Sequence, residues 1–216
     1  MKIGVLFDMD GVIIDSNPFH KIALDIFLEK YGFNLSEEER KKKLYGRANK
    51  DWINEVFGGG LTEARLLELG SEKEMYWRDV YKNDIKPVKG LVQFLDLLKF
   101  NEIPIAIGTS APPENVEFTL EKCQISSYFK VILNQDHVIK GKPDPEIYLN
   151  CAKSLNLPSS QCIVIEDSLA GVAAGKAAGC KVIGITTTHT KAELSHCDMI
   201  IEDFKGLEIE HLKSIF

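Results

Sequence analysis

Apolar residues follow two different patterns along this chain, and the change of pattern divides it. From residue 103 onward, short continuous apolar runs alternate with stretches of helical periodicity. Ile103 to Thr109 is such a run, and Glu114 to Cys123 reads as the helix after it. Then come Val131-Ile132-Leu133, a helix from about Pro145 to Leu155, the run Cys162 to Ile165, a helix from Leu169 to Ala178, and the run Val182 to Ile185. Strands alternating with helices predict βαβ units and a mostly parallel sheet. Continuously apolar strands suit a sheet covered on both faces. Ile3 to Phe7 supplies a further strand near the start.

The stretch from Ser16 to Asn83 is different. Ile22, Leu24, Ile26, Phe27 and Leu28 recur at helical spacing, as do Trp52, Ile53, Val56 and Phe57, and no strand pattern interrupts them. The charged run from Glu37 to Lys43 reads as a solvated helix face, and Gly58-Gly59-Gly60 as a break between helices. The expected organisation is an α/β core from 1–15 and 86–216, with a helical cap from 16–85 inserted after the first strand.

Composition narrows the function classes. The chain has 216 residues, enough for one large core or two small ones, and a formal charge of −6. That charge argues against nucleic acid as a partner. No apolar run approaches the ~20 residues of a membrane span, and Met1-Lys2 leads directly into the first strand, so neither a membrane segment nor a signal peptide is expected. Five cysteines, Cys123, Cys151, Cys162, Cys180 and Cys197, show no CxxC spacing and are odd in number. A reducing cytoplasm is the expected compartment. Cys162 and Cys180 adjoin apolar runs, where cysteine behaves as a small hydrophobe.

The chemistry gathers at strand ends. Asp8 and Asp10, in Phe7-Asp8-Met9-Asp10-Gly11, follow the first apolar run. Two like charges about 4 Å apart repel by roughly 4 kcal/mol at an effective dielectric near 20. A divalent cation between them removes that cost; a solvated turn is the plain alternative. Glu166-Asp167 repeats the problem at another strand end, and an all-oxygen donor set favours Mg²⁺ over Zn²⁺. Two further ends carry Gly108-Thr109-Ser110 and Gly141-Lys142-Pro143-Asp144-Pro145. Thr109-Ser110 taken alone reads as a helix cap. Pro143 restricts Lys142 to extended backbone and so aims it, while Asp144 before Pro145 reads as a structural N-cap.

These four segments together resemble the four motifs of the haloacid dehalogenase-like superfamily in its phosphotransferase form, with the β-phosphoglucomutase and sugar-phosphate phosphatase subgroup nearest. The resemblance runs from Val5 to about Ile185. It implies a Rossmann-like three-layer α/β core with an inserted small α-helical cap. It also implies a cytoplasmic enzyme acting on a small phosphorylated metabolite, with no nucleic-acid or membrane partner and a monomer favoured. By this resemblance Asp8 is the nucleophile that forms an aspartyl-phosphate, and Asp10 is the general acid and base. Lys142 and Thr109 complete the catalytic set. Mg²⁺ is held by Asp8, the Asp10 carbonyl and Asp167, with Glu166 nearby or ligating. Met9, Gly11 and Ser110 line the phosphate site. Asn17, His20, Arg47, Asn49 and Lys73 are the expected substrate-binding residues. One stretch departs from the pattern: Asn49 stands where the mutase has an arginine for a second phosphate, and Arg47 lies two residues earlier.

The expected activity is Mg²⁺-dependent removal of phosphate from a sugar phosphate. The alternatives are a β-phosphoglucomutase, an inorganic pyrophosphatase, and a catalytically inert binding module on the same fold.

Overall fold

The apolar runs pair into one six-stranded sheet in the computed structural model, which describes residues 2–44 and 49–216. The strands are β1 (Gly4–Phe7), β2 (Ile105–Gly108), β3 (Val131–Leu133), β4 (Cys162–Glu166), β5 (Lys181–Ile185) and β6 (Met199–Ile201), in the order β3-β2-β1-β4-β5-β6. Every pairing is parallel. β6 is not foreseen from the pattern, because three apolar residues between Asp198 and Glu202 do not stand out from a loop.

Side chains alternate across a strand, and both faces of this sheet are covered. Leu6, Ala106, Val164 and Val182 share one buried cluster with Tyr148, Cys151 and Val172. Phe7 points the other way, edge-on to Phe94 at 6.3 Å and to Phe129 at 5.8 Å, with Phe94 stacked on Phe204. The covering helices are α5 (Leu91–Phe100), α6 (Pro113–Lys122), α7 (Glu146–Ser154) and α8 (Leu169–Ala177); the last, α9 (Ile209–Ser214), closes the chain. With Met1–Asn17 and Ile85–Phe216 they form one compact unit.

Two local expectations are corrected. Helix α6 starts at Pro113 with Pro112 as its N-cap, so Thr109 and Ser110 do not cap it. Instead the buried Thr109 hydroxyl accepts the Ala111 amide at 3.1 Å and turns the chain directly after β2. Helix α7 starts one residue later than expected, which moves Asp144 outside the N-cap position; its carboxylate still accepts the Glu146 amide at 3.1 Å.

A second unit, Pro18–Asp84, is helical. Its elements are α1 (Asn17–Lys30, whose first residue belongs to the sheet unit), α2 (Glu37–Lys43), α3 (Asn49–Val56) and α4 (Glu63–Tyr81). Leu24, Phe27, Leu28, Leu44, Trp52, Ile53 and Leu69 make its core. Ile22 and Ile26, read as part of the apolar stripe, lie exposed. The charged run forms α2, which Ser36 opens through a capping box with Glu39. Gly58, Gly59 and Gly60 all take positive φ between α3 and α4. Among the described residues no helix is long and apolar enough to cross a membrane.

Phe7 is buried on the β1 strand that the site follows, so its removal should be costly. Phe7→Ala should destabilise the sheet unit by about 3–5 kcal/mol. Urea unfolding followed by circular dichroism measures this, and a loss well below ~1 kcal/mol would show that the aromatic cluster is not a cooperative part of the core.

Candidate active site

The strand order changes direction at β1: the chain builds β2 and β3 to one side, then returns to place β4 on the other. Ligands of open parallel sheets bind outside the carboxyl ends of strands at such a point. The register Phe7↔Ile165 sets Asp8 beside Glu166, and Phe7↔Ile107 sets Asp8 beside Gly108. Three of the four motif-bearing ends are therefore neighbours by pairing alone.

The fourth reaches in from the loop before α7. Lys142 Nζ donates to Asp8 Oδ1 and to Glu166 Oε1, both at 2.7 Å, with its side chain buried. The loop is tied down by the Glu146 carboxylate, which accepts the Ile139 and Lys140 amides at 3.0 and 2.9 Å.

After β1 the backbone folds into a tight loop. The Met9 carbonyl accepts the amides of Val12, Ile13 and Ile14, and the Gly11 amide donates to Ile14 O at 2.7 Å. Gly11 has φ +77°, and a Cβ there would lie 1.9 Å from Asp167 Oδ2, so only glycine fits. Ser16 Oγ donates to Asp10 Oδ1 at 2.5 Å and orients that carboxylate.

Asp8, Glu166 and Asp167 are buried, each offering a carboxylate oxygen within 4.8 Å of the others. Burial pushes the Asp8 carboxyl up to about 7; the Lys142 charge opposes this, and Glu166 and Asp10 add to it. Burial, then Glu166 and Asp8, push Asp167 well above the ordinary carboxylate range. Glu166 lies below its ordinary value: burial works against ionisation, but Lys142 and the donors from Lys142, Tyr148 and Ser168 outweigh it. Lys142 is raised although burial opposes the charge, because Asp8 and Glu166 outweigh it. Three buried carboxylates thus face one ammonium. The unbalanced negative charge and the all-oxygen donor set fit a hard divalent cation.

The two acidic residues after β4 differ in their surroundings. Glu166 accepts from Lys142 Nζ, Tyr148 OH, the amides of Asp167 and Ser168, and Ser168 Oγ, all at 2.7–3.1 Å. Five donors exceed the roughly four lone-pair positions of a carboxylate. Asp167 by contrast receives the Thr188 hydroxyl on Oδ2, with Asn17 Nδ2 at 3.4 Å from the same oxygen. Asn17 also donates to Thr188 Oγ1 at 2.6 Å, and Thr187 Oγ1 donates to the Gly11 carbonyl at 2.5 Å.

Tyr148, Ser168, Thr187, Thr188 and Ser16 are missing from the set expected from sequence. The run Thr186-Thr187-Thr188 at the end of β5 was the available signal, since every neighbouring strand end bears polar residues. Ser110 is exposed beside the buried Thr109.

His20, Asn49 and Lys73 come together in the helical unit. Lys73 Nζ lies 2.9 Å from His20 Nδ1 and donates to Glu74 Oε1 at 2.8 Å, and Asn49 Nδ2 donates to the same Glu74 oxygen at 2.7 Å. His20 stacks on Trp77. Burial works against the Glu74 charge, but Lys73, His20 and Asn49 together hold its pKa below the usual value. Arg47 lies outside the described residues.

All five cysteines are free, and burial pushes the Cys151 and Cys180 thiols up to about 12 and those of Cys123 and Cys162 to about 11. Such thiols are poor nucleophiles near neutral pH.

Residues 5–185 match the family described as haloacid dehalogenase-like hydrolase. A crystal structure of a HAD hydrolase, family IA, variant 3, from Entamoeba histolytica HM-1:IMSS superposes with a TM-score of 0.91 at 32% identity, covering 100% of this chain and 99% of that one. The phosphorylated carbohydrates phosphatase of Thermotoga maritima is 30% identical over 176 residues, 82% of this chain and 81% of the relative. The β-phosphoglucomutase of Bacillus subtilis (strain 168) is 30% identical over 218 residues, 97% of this chain and 93% of the relative.

The raised carboxyls make cation binding a proton-releasing event, because a metal ligand must be ionised. At pH 6, below the Asp8 value of about 7, binding of a divalent cation such as Mg²⁺ should release protons, and the Asp8 share of that release should fade as the pH rises past that value. Calorimetry in buffers of different ionisation enthalpy measures it; a heat that does not depend on the buffer at pH 6 would contradict the charge balance described.

Proposed function

The chain belongs to the haloacid dehalogenase-like hydrolase family, and from that premise we propose that it is a Mg²⁺-dependent phosphatase of a small phosphorylated sugar, working through an aspartyl-phosphate on Asp8. One observation carries the reading: the Asp8 carboxylate stands at the switch point of the sheet, held by the Lys142 ammonium at 2.7 Å. The phosphatase and phosphomutase relatives support the substrate class.

In this reading an Asp8 oxygen attacks phosphorus, the new P–O bond forms to Asp8, and the bond to the sugar oxygen breaks. Asp10, held by Ser16, gives its proton to the departing oxygen and takes one from the water that then attacks the acyl phosphate. Lys142 remains an ammonium and offsets the charge on the phosphoryl oxygens. The Thr109 hydroxyl, buried at the end of β2, donates to the same group. Asp8, the Asp10 carbonyl and Asp167 are the proposed holders of Mg²⁺, which would offset negative charge developing at the phosphoryl group. The saturated hydrogen bonding of Glu166 favours a supporting role for that residue. For His20, Asn49 and Lys73 a part in substrate binding is proposed on the resemblance alone.

The mutase is the second reading, favoured by the 30% identity to the Bacillus subtilis enzyme. Supplying β-glucose 1-phosphate with a trace of the bisphosphate separates the two. Inorganic phosphate is the expected product, and glucose 6-phosphate would establish the mutase.

Three perturbations test the mechanism. Asp8→Asn should abolish turnover while the circular dichroism spectrum is unchanged. Asp10→Asn should lower kcat by about 10²–10⁴-fold through loss of proton transfer. EDTA should silence the enzyme and added Mg²⁺ restore it. Substantial phosphate release by purified Asp8→Asn protein would rule out the covalent intermediate.

A further inference from the structure

Lys142 has three N–H donors. Two are spent, on Asp8 Oδ1 and Glu166 Oε1. What remains is the direction of the third, which a flexible four-carbon stem does not set by itself. The buried Tyr148 acts on both sides of this question. Its ring lies beneath the ammonium, with Nζ 5.0 Å from the ring centroid. Its hydroxyl donates at 2.7 Å to Glu166 Oε1, the same oxygen that Lys142 uses.

The ring attracts the cation through its quadrupole and blocks that side to any hydrogen-bond acceptor. The hydroxyl fixes the Glu166 oxygen, and with it one of the two anchors of the ammonium. Tyr148 is carried by α7, whose first residue, Glu146, ties down the loop bearing Lys142. Helix α7 therefore sets the tyrosine directly and the lysine through its loop, and the tyrosine hydroxyl joins them to Glu166 at the end of β4. A phenylalanine would give the same packing without the second hold.

We propose that Tyr148 is a positioning residue of the phosphoryl site: by holding Glu166 through its hydroxyl and Lys142 over its ring, it turns the third Lys142 N–H toward the transferring phosphoryl group. This rests on the phosphoryl-transfer reading of the site given above. The Tyr148 hydroxyl donates to Glu166 and not to the proposed metal ligands Asp8 and Asp167, so its loss should weaken binding of the transferring group and leave metal binding alone.

Tyr148→Phe separates the hydroxyl from the ring. In wild-type protein with Mg²⁺, orthovanadate, which mimics a five-coordinate phosphoryl group, should inhibit competitively. In Tyr148→Phe, vanadate affinity and kcat should both fall by about tenfold, the lower end of what loss of an outer support costs. The Mg²⁺ dissociation constant, measured by calorimetry without vanadate, should match that of the wild-type protein. Tyr148→Leu, which also loses the ring, should fall further, with a circular dichroism spectrum like wild type.

Unchanged vanadate affinity in Tyr148→Phe would overturn the inference. So would an equal fall in Mg²⁺ affinity, since the hydroxyl would then support the metal ligands rather than the lysine. Absence of vanadate binding and turnover in the wild-type protein would instead defeat the underlying phosphoryl-transfer reading, which keeps the two failures distinct.

Discussion

The structure at the strand ends depends on one buried cation. Lys142 stands between Asp8 and Glu166 where water cannot screen them, and each carboxylate is 2.7 Å from its nitrogen. Removing one member of a buried ionic group costs about 3–5 kcal/mol, because the partners are left charged and unpaired. The lysine does not finish the task. Asp167 and Asp8 still share a small volume, and burial drives both carboxyls above their ordinary range. A divalent cation beside Asp8 would favour the ionised carboxylate that its proposed role as nucleophile needs.

The rest of the sheet unit serves that arrangement. Parallel pairing brings β1, β2 and β4 side by side, so that residues far apart in sequence leave the sheet together. Close approach then excludes side chains at two places. A Cβ on Gly11 would strike Asp167, and one on Gly171 would lie 1.7 Å from Glu166 Oε1. Ser168 caps α8 by accepting the Gly171 amide and donates to Glu166. The turn, the cap and the acid thus form one connected hydrogen-bonded unit, and the positions of the acids are over-determined.

Much of this is readable without coordinates, for definite reasons. Buried parallel strands must be apolar, so polar residues where they stop stand out: Asp8, Thr109 and Glu166-Asp167 are marked by contrast with Phe7, Ile107 and Ile165. Lys142 is marked by the prolines around it. Tyr148 is not marked, because an aromatic residue on the buried side of a helix looks like any other core residue, and only its hydroxyl meeting Glu166 distinguishes it. Thr187 and Thr188 are marked only by following the apolar run of β5, and that position does not say that they reach Gly11 and Asp167. Glu74 is hidden for another reason: a glutamate beside a lysine on a helix reads as a surface pair, whereas here both are buried and bonded to each other. Strand contrast reveals what the sheet presents and is silent on what helices and loops bring to it.

In the proposed reaction Asp8 accepts the phosphoryl group while Lys142 and Asp167 stay in place around it. A crystal structure of the protein with Mg²⁺ and beryllium fluoride, a mimic of an acyl phosphate, tests it most directly. Beryllium bonded to an Asp8 oxygen, a fluoride within hydrogen-bond distance of Lys142 Nζ, and a metal ion ligated by Asp167 is the predicted result. Beryllium fluoride on any other residue, or a metal ion away from Asp8 and Asp167, would contradict the account.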